Sequence, residues 1–211
     1  MKFKDLLFDK YIALRNISIG ILVTTLLLTI RIKLTQDTLF LFLGWNLILA
    51  LIPFGIALII YKNPSILSRW YSRIGFTLIW LLFLPNAPYI VTDFIHLQLS
   101  KPNLLILDFI LIGSCAITGV LSGLYSFKIM IELLSLFYSK KFIHILSITI
   151  SLLCGFGVYL GRVVRLKSWD IFTRPWHTCI LILDSITEPL AWIITVSFGC
   201  LFILNKRHKM D

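Results

Sequence analysis

The chain has 211 residues, of which 58% are hydrophobic and only 14% are charged, and its mean hydropathy is +0.93. Soluble domains are about 45–50% apolar and roughly 25% charged, so this composition excludes an ordinary water-soluble domain. Lipid must therefore surround most of the surface, and the sequence predicts an all-α, polytopic integral membrane bundle. The length and the lack of a long polar run predict a single membrane domain over residues 1–211.

Apolar windows of about 20 residues predict six transmembrane helices. In chain order they cover residues 12–30, 38–60, 70–84, 104–127, 142–160 and 186–204. The first follows three lysines, as a secretory signal would, but Arg31 and Lys33 follow it in place of a small-residue cleavage site. We therefore expect an uncleaved first span. The third window is short for a full span.

The distribution of basic residues predicts the orientation, because Lys and Arg are retained in cytoplasmic loops. With six spans, 13 of the 20 basic residues fall on the side of the two termini, which we predict to be cytoplasmic. The other seven are Arg31, Lys33, Lys101, Arg162, Arg165, Lys167 and Arg174. The net charge of +10 is scattered over loops, so we expect contact with anionic membrane lipids and no nucleic-acid partner.

The cysteines and repeats carry little functional signal. Cys115, Cys154, Cys179 and Cys200 all lie in apolar stretches, too far apart in sequence for a metal or redox motif. We interpret them as small apolar packing residues and expect no metal and no other cofactor. No internal repeat predicts an inverted-topology transporter, and no pattern determines the oligomeric state.

Two prolines predict a break after the third span. Pro85 and Pro88 lack amide protons, so a helix that arrives from Trp70 loses two backbone donors. Asn86 can cap a new helix, because an Asn side chain accepts hydrogen bonds from the first free amides. We expect a short interfacial or re-entrant helix over residues 87–97.

The polar residues of this short helix form the first candidate site. With a period of 3.6 residues, Tyr89, Thr92, Asp93 and His96 share one face. The carboxylate and imidazole could orient each other, relay a proton, or hold a metal together with other segments. The alternative interpretation is a polar stripe that only satisfies a helix junction.

A second polar segment follows the fifth span. Arg162, Arg165 and Lys167 lie on the outer side, against the positive-inside trend, and Trp169 and Asp170 follow. If the fifth helix continues, the two arginines and Trp169 line one face. The arginines either pair with acidic residues of the bundle or bind an anion such as a phosphate, for which the guanidinium group is suited.

Small residues predict how these segments meet. Each of the ranges 119–123 and 157–161 begins and ends with glycine, a spacing that lets helices approach closely. We expect the fourth and fifth spans to pack together and to bring Asp108 near Arg162. Pro189 should free a carbonyl beside two acidic residues. The candidate polar pocket consists of Asn86, Tyr89, Asp93, His96, Asp108, Arg162, Arg165, Trp169, Asp170, Asp184 and Glu188.

The two polar segments resemble a known family. Residues 85–97, together with Gly161-Arg162 and Ser168-Trp169-Asp170, are similar to bacterial polytopic membrane proteins catalogued as domain of unknown function 1361. The resemblance implies a multi-pass protein of the bacterial cytoplasmic membrane whose activity is unassigned. It transfers no catalytic or binding residues to this chain.

Three functions fit the sequence. The first is binding or transport of an anionic small molecule, a lipid headgroup or protons at an extracytoplasmic polar pocket. The second is a membrane assembly or scaffold subunit whose charge cluster only joins the helices. The third is an enzyme acting on a lipid-linked phosphate, with His96 or Asp93 as general base or metal ligand. Without a complete set of catalytic groups, we favour the non-enzymatic hypotheses in this order.

Overall fold

A computed structural model of the protein describes residues 3–166 and 169–207, and within them the chain is helical and contains no strand. This confirms the predicted all-α membrane bundle. The helices are α1 (Phe3–Thr35), α2 (Leu41–Lys62), α3 (Trp70–Phe83), α4 (Asn86–Tyr89), α5 (Leu105–Leu134), α6 (Lys140–Arg162), α7 (Asp170–Thr173), α8 (Pro175–Ile186) and α9 (Pro189–Arg207). Short 3-10 helices occupy Pro64–Leu67, Ile90–Leu99 and Pro102–Leu104.

Within the described residues, five helical segments are long and apolar enough to cross a membrane. They are Tyr11–Thr35, Leu41–Lys62, Trp70–Leu99, Pro102–Leu134 and Lys140–Arg162. A sixth span results if α8 and α9, which meet at an angle of 90°, are counted together. The protein is therefore a multi-pass membrane protein. We call the end of the bundle where α1 and α6 end and α2 begins the distal end.

The first helix extends beyond its predicted end. Residues 12–30 were expected to span the membrane and Arg31 to lie in the following loop, but α1 continues to Thr35. Arg31 is buried inside the bundle, where Asp108 of α5 and the Thr35 hydroxyl accept its hydrogen bonds. Because the Asp108 carboxylate compensates its charge, Arg31 can lie inside the spanning helix, and α1 continues beyond it.

The regular α-helix is interrupted at the prolines, as predicted, but the helical segment continues through them. Trp70–Leu99 forms one candidate span, and not a span followed by a separate interfacial or re-entrant helix. α3 ends at Phe83 and α4 begins at Asn86, after which the chain continues as the 3-10 helix Ile90–Leu99. The prediction that Asn86 accepts from free amides as a cap is wrong: Pro85 occupies the cap position, and Asn86 Nδ2 donates to the Phe83 carbonyl at 2.9 Å. The Ala87 amide donates to the Leu84 carbonyl and not to the Phe83 carbonyl, which it would meet in a regular α-helix. The Asn86 side chain therefore supplies the hydrogen bond that the Phe83 carbonyl lacks.

The glycines of α5 contact residues 84–99, which we call the broken segment, and not α6. A Cβ atom at Gly119 would lie 2.7 Å from the Ile90 side chain, and one at Gly123 would lie 2.6 Å from Cβ of Ala87. Both positions are thus in closest contact with the chain around α4. A larger side chain at either position would push this segment away from α5.

The glycines of α6 contact the same segment from another helix. A Cβ atom at Gly157 would overlap the ring of Pro85, and one at Gly161 would lie 3.3 Å from the Tyr89 ring. The expectation that α5 and α6 pack directly through these glycines is therefore wrong. A small-residue motif indicates that a close neighbour is present, but it does not identify that neighbour, and here residues 85–90 lie against both motifs.

Helix α9 runs antiparallel to α6 in close contact. A Cβ atom at Gly155 would overlap the Thr195 backbone, and one at Gly199 would lie 3.1 Å from the Ser151 carbonyl oxygen. Later residues of α9 thus meet earlier residues of α6. It follows that α9 begins at the distal end, near the level of Arg162, and runs away from it.

Two apolar clusters fill the bundle. One lies away from the distal end around Trp80, Phe127 and Met130, and the other lies near the distal end around Ile90 and Leu111. The fully buried Trp80 donates its indole N–H to Ser126 Oγ at 2.6 Å. This satisfies the polar atom of the largest buried side chain, as burial of an indole N–H requires.

We expect Gly157→Ala to destabilise the fold by about 1–3 kcal/mol, because the added methyl group overlaps the Pro85 ring. The matched control is Gly55→Ala in α2, where an added Cβ meets no atom within 4 Å. There the same substitution should be neutral or stabilising by about 0.5–1 kcal/mol. Thermal unfolding midpoints in detergent micelles compare the two variants. Equal midpoints would contradict the close packing of Pro85 on α6.

Candidate functional site

Asp93 is the centre of a polar cluster at the distal end. It lies in the 3-10 helix Ile90–Leu99 and only 1% of it is exposed. Its Oδ2 accepts a hydrogen bond of 2.8 Å from Asn46 Nδ2 of α2, and its Oδ1 accepts one of 3.4 Å from Arg162 Nη1 of α6. A buried carboxylate in a membrane bundle requires such partners, and here they come from two other helices.

Arg162 is fixed at the end of α6 by three contacts with the broken segment. Its Nη2 donates to the Thr92 carbonyl at 2.9 Å, and its Nη1 lies 3.4 Å from both the Tyr89 hydroxyl and Asp93 Oδ1. The guanidinium carbon also lies 5.7 Å from the centre of the Tyr89 ring. The side chain is still 21% exposed, so part of the charged group can contact a ligand.

His96 is a partly exposed member of the cluster and lies next to Asp93. A 3-10 helix has three residues per turn, which places His96 directly over Asp93. Its Nε2 lies 4.0 Å from Asp93 Oδ1, and its ring meets the edge of Phe42 with centroids 4.8 Å apart. The distance is longer than a hydrogen bond, so the two groups interact as an ion pair only when the imidazole is protonated. The side chain is 32% exposed.

A cavity of about 1040 Å³ lies beside this cluster, between α2, the broken third segment, α6 and α8. Its polar lining consists of Asn46, Asn86, Tyr89, His96, Arg162, Arg165, Trp169 and Thr178. Its apolar walls include Trp45, Leu49, Leu81, Leu82, Leu153, Phe156, Leu160, Leu166, Ile171 and Ile182. The cavity is about half open and has one polar region among mainly apolar walls, a composition typical of ligand pockets.

The loop after α6 carries the second arginine of the cavity. Arg165 has a φ of 62°, in the left-handed region that side chains other than glycine rarely adopt. The Leu166 amide donates to the Leu160 carbonyl at 3.0 Å, so the chain turns back over the end of α6. Arg165 is exposed and lines the cavity, as does Trp169. This strained turn places both arginines on the same cavity.

Asp108 belongs to a separate, enclosed cluster. Its Oδ1 accepts from Arg31 Nε at 2.6 Å, and its Oδ2 accepts from Ser100 Oγ at 2.6 Å. The Arg31 guanidinium also lies 5.2 Å from the Phe40 ring centre. The expected approach of Asp108 to Arg162 therefore does not occur, because α1 packs on α5 and supplies a different arginine.

The remaining predicted acidic residues do not line the cavity. Asp170 is partly buried at the start of α7, and its carbonyl accepts from Thr178 Oγ1 at 3.2 Å. Asp184 and Glu188 are exposed around the bend between α8 and α9. The Ser185 carbonyl that Pro189 was expected to free accepts from the Glu188 amide at 3.3 Å.

The structure adds residues that the sequence interpretation did not include in the pocket. Asn46, which lies inside the predicted second span, donates to Asp93, and Trp45 beside it lines the cavity. A polar side chain within a predicted span is itself a signal of such a contact. Among the described residues, no group of three or more His, Cys, Asp or Glu side chains is placed to hold a metal ion.

We expect Arg31→Gln to destabilise the protein by about 3–5 kcal/mol, because it leaves the buried Asp108 carboxylate without its cation. The matched control is Arg165→Gln, at an exposed position, which should change stability by no more than about 0.5 kcal/mol. Thermal unfolding in micelles measures both. Equal effects of the two substitutions would show that the Arg31–Asp108 pair does not stabilise the bundle.

Comparison with known proteins is consistent with the resemblance of the two polar segments. Residues 45–204 match the family described as proteins of unknown function, DUF1361. The match covers α2 from Trp45 through most of α9 and thus contains every residue that lines the cavity. No curated protein and no solved structure matches the chain. The protein is therefore a multi-pass membrane protein that belongs to the DUF1361 family of unknown function.

Proposed function

We propose that the protein binds an amphiphile with an anionic headgroup in the cavity at the distal end. The observation that carries this proposal is the presence of Arg162 and Arg165 on one otherwise mainly apolar cavity. Arginine is suited to carboxylate and phosphate groups, because its planar guanidinium donates hydrogen bonds in pairs. Binding, or transport that begins with binding, would start at this site.

The charge around the cavity supports an anionic ligand. Among the described residues that line the cavity, Arg162 and Arg165 carry a formal positive charge and none is acidic, while the buried Asp93 offsets one of the two positive charges from behind Arg162. Protonation of His96 would add a further positive charge. In a site with apolar walls, an excess positive charge is stabilised by an anion more strongly than it would be in water.

The apolar walls of the cavity favour an amphiphile as the ligand over a small hydrophilic anion. Leu49, Leu153, Phe156 and Leu160 extend from the polar region along α2 and α6. Leu153 is exposed as well as lining the cavity, so this side is continuous with the lipid-facing surface. An apolar chain on this wall would contact aliphatic side chains while its headgroup reaches the arginines.

The binding prediction compares a phosphatidylglycerol with a phosphatidylcholine of identical chains, added to the full-length protein in micelles and detected by native mass spectrometry. We expect the anionic lipid to be retained and the zwitterionic lipid to be lost. Arg165→Gln should weaken retention roughly 10–100-fold, since a hydrogen bond to a charged group contributes about 1.5–3 kcal/mol. Inorganic phosphate added as competitor distinguishes recognition of the headgroup alone from recognition of the whole amphiphile.

Arg174→Gln is the control for this measurement, because Arg174 is exposed at the distal end but does not line the cavity. It should leave retention unchanged. If Arg165→Gln and Arg174→Gln had the same effect, or if both lipids bound equally, the cavity would not be the anionic site proposed.

The proposal also includes the orientation of the protein in the membrane. The excess of basic residues near the two termini favours a cytoplasmic position for both, in a bacterial cytoplasmic membrane, and an extracytoplasmic position for the distal end. A C-terminal fusion to green fluorescent protein should therefore fluoresce, and a fusion to alkaline phosphatase should be inactive. The opposite pair of results would reverse the orientation and place the cavity on the cytoplasmic side.

A further inference from the structure

The direction of α8 follows from the bend that joins it to α9. α9 has 19 residues, which at 1.5 Å per residue gives roughly 28 Å, close to the thickness of the hydrocarbon layer. It runs antiparallel to α6 from the distal end, and α8 meets it at 90°. The indole of Trp192 in α9 donates to the Ile186 carbonyl at 2.9 Å and so links the two helices at the bend. With α9 across the membrane, α8 lies parallel to the membrane plane.

Helix α8 has one face on the bundle and one apolar face exposed. Thr178 and Ser185 are buried, and Thr178 and Ile182 line the cavity. On the opposite side, Trp176 is 79% exposed and Leu183 is 65% exposed. Ile180 lies on the same face and is exposed too. These three residues, Trp176, Ile180 and Leu183, form what we call the outer face of α8, and Phe172 of the preceding α7 is also exposed.

The polar residues of α8 lie on a separate edge. His177 and Asp184 are both exposed and are about 100° from Trp176 and Leu183 respectively around the helix axis. The helix thus presents an apolar face, an adjacent polar edge and a buried face. This arrangement is typical of a helix at a membrane interface, with aromatic residues at the headgroup level and polar residues towards water.

We infer that α7 and α8 lie in the interfacial layer of the bilayer at the distal end, with the outer face of α8 inserted into lipid. Lipid is favoured as the occupant because α9, which joins α8 at the bend, also carries exposed apolar side chains, including Leu190, Ile193 and Val196. α9 packs along α6, which is long and apolar enough to cross the membrane. Since Thr178 and Ile182 face the cavity from the other side of α8, lipid contact places this wall of the cavity at the level of the headgroups.

Two native cysteines allow a direct test. Cys179 is exposed on the apolar side of α8, and Cys200 is exposed eleven positions after the start of α9, while Cys115 and Cys154 are buried. A thiol-reactive environment-sensitive fluorophore is attached to Cys179 in a Cys200→Ala variant and to Cys200 in a Cys179→Ala variant. Both full-length proteins are reconstituted in vesicles that contain lipids spin-labelled either near the headgroup or near the chain end.

The inference predicts that the fluorophore at Cys179 emits at short wavelength and loses more fluorescence to the shallow spin label than to the deep one. The fluorophore at Cys200 should show the opposite preference, because it lies about 16 Å along α9 from the bend. A fluorophore on the polar edge, introduced by His177→Cys in the background of Cys179→Ala and Cys200→Ala, should instead be quenched by aqueous iodide.

Two results would overturn the inference. Quenching of the Cys179 fluorophore by iodide and not by lipid would place the outer face of α8 in water. Resistance to both quenchers would mean that a second copy or another protein covers this face. Both results are independent of the anionic ligand, so the inference can fail while the proposed binding function holds.

Discussion

The packing of residues 85–90 against two glycine motifs is the constraint on which the rest of the distal end depends. Gly119 and Gly123 of α5 and Gly157 and Gly161 of α6 remove the side chains that would otherwise occupy this space. The two prolines supply the break that allows the third span to enter it. With the segment held there, Tyr89, Thr92 and Asp93 come within reach of Arg162, which no helix-to-helix contact of α5 and α6 alone would achieve.

Two buried carboxylates at the same end of the bundle have different surroundings. Asp108 is enclosed by Arg31 and Ser100, and Arg31 also bonds Thr35, so this cluster is satisfied within the protein. Asp93 is equally buried, but its arginine is partly exposed on a cavity. The enclosed pair joins α1 to α5, whereas the open pair fixes a charged group where a ligand can meet it.

The cavity wall and the bend between α8 and α9 are both positioned by the packing of α9 on α6. α9 packs closely on α6, and this contact sets the level at which α8 leaves the bundle. The buried face of α8 then forms part of the cavity wall, while its outer face carries exposed aromatic and aliphatic side chains. The surface proposed to contact lipid and the site proposed to bind an anionic amphiphile are thus two sides of a single short helix.

Sequence alone predicts the membrane environment, the all-helical bundle and the interruption at Pro85, because hydropathy and missing amide protons act locally. It also predicts that Asp93, His96, Arg162 and Arg165 lie at the same end of the bundle, because successive spans cross the membrane in opposite directions. The pairing of these polar groups, in contrast, depends on the tertiary packing. Arg31 and not Arg162 reached Asp108, Asn46 joined Asp93, and Asp184 and Glu188 stayed outside. The physical reason is that partners are chosen by which helices touch, and a small-residue motif or a charge does not specify its neighbour.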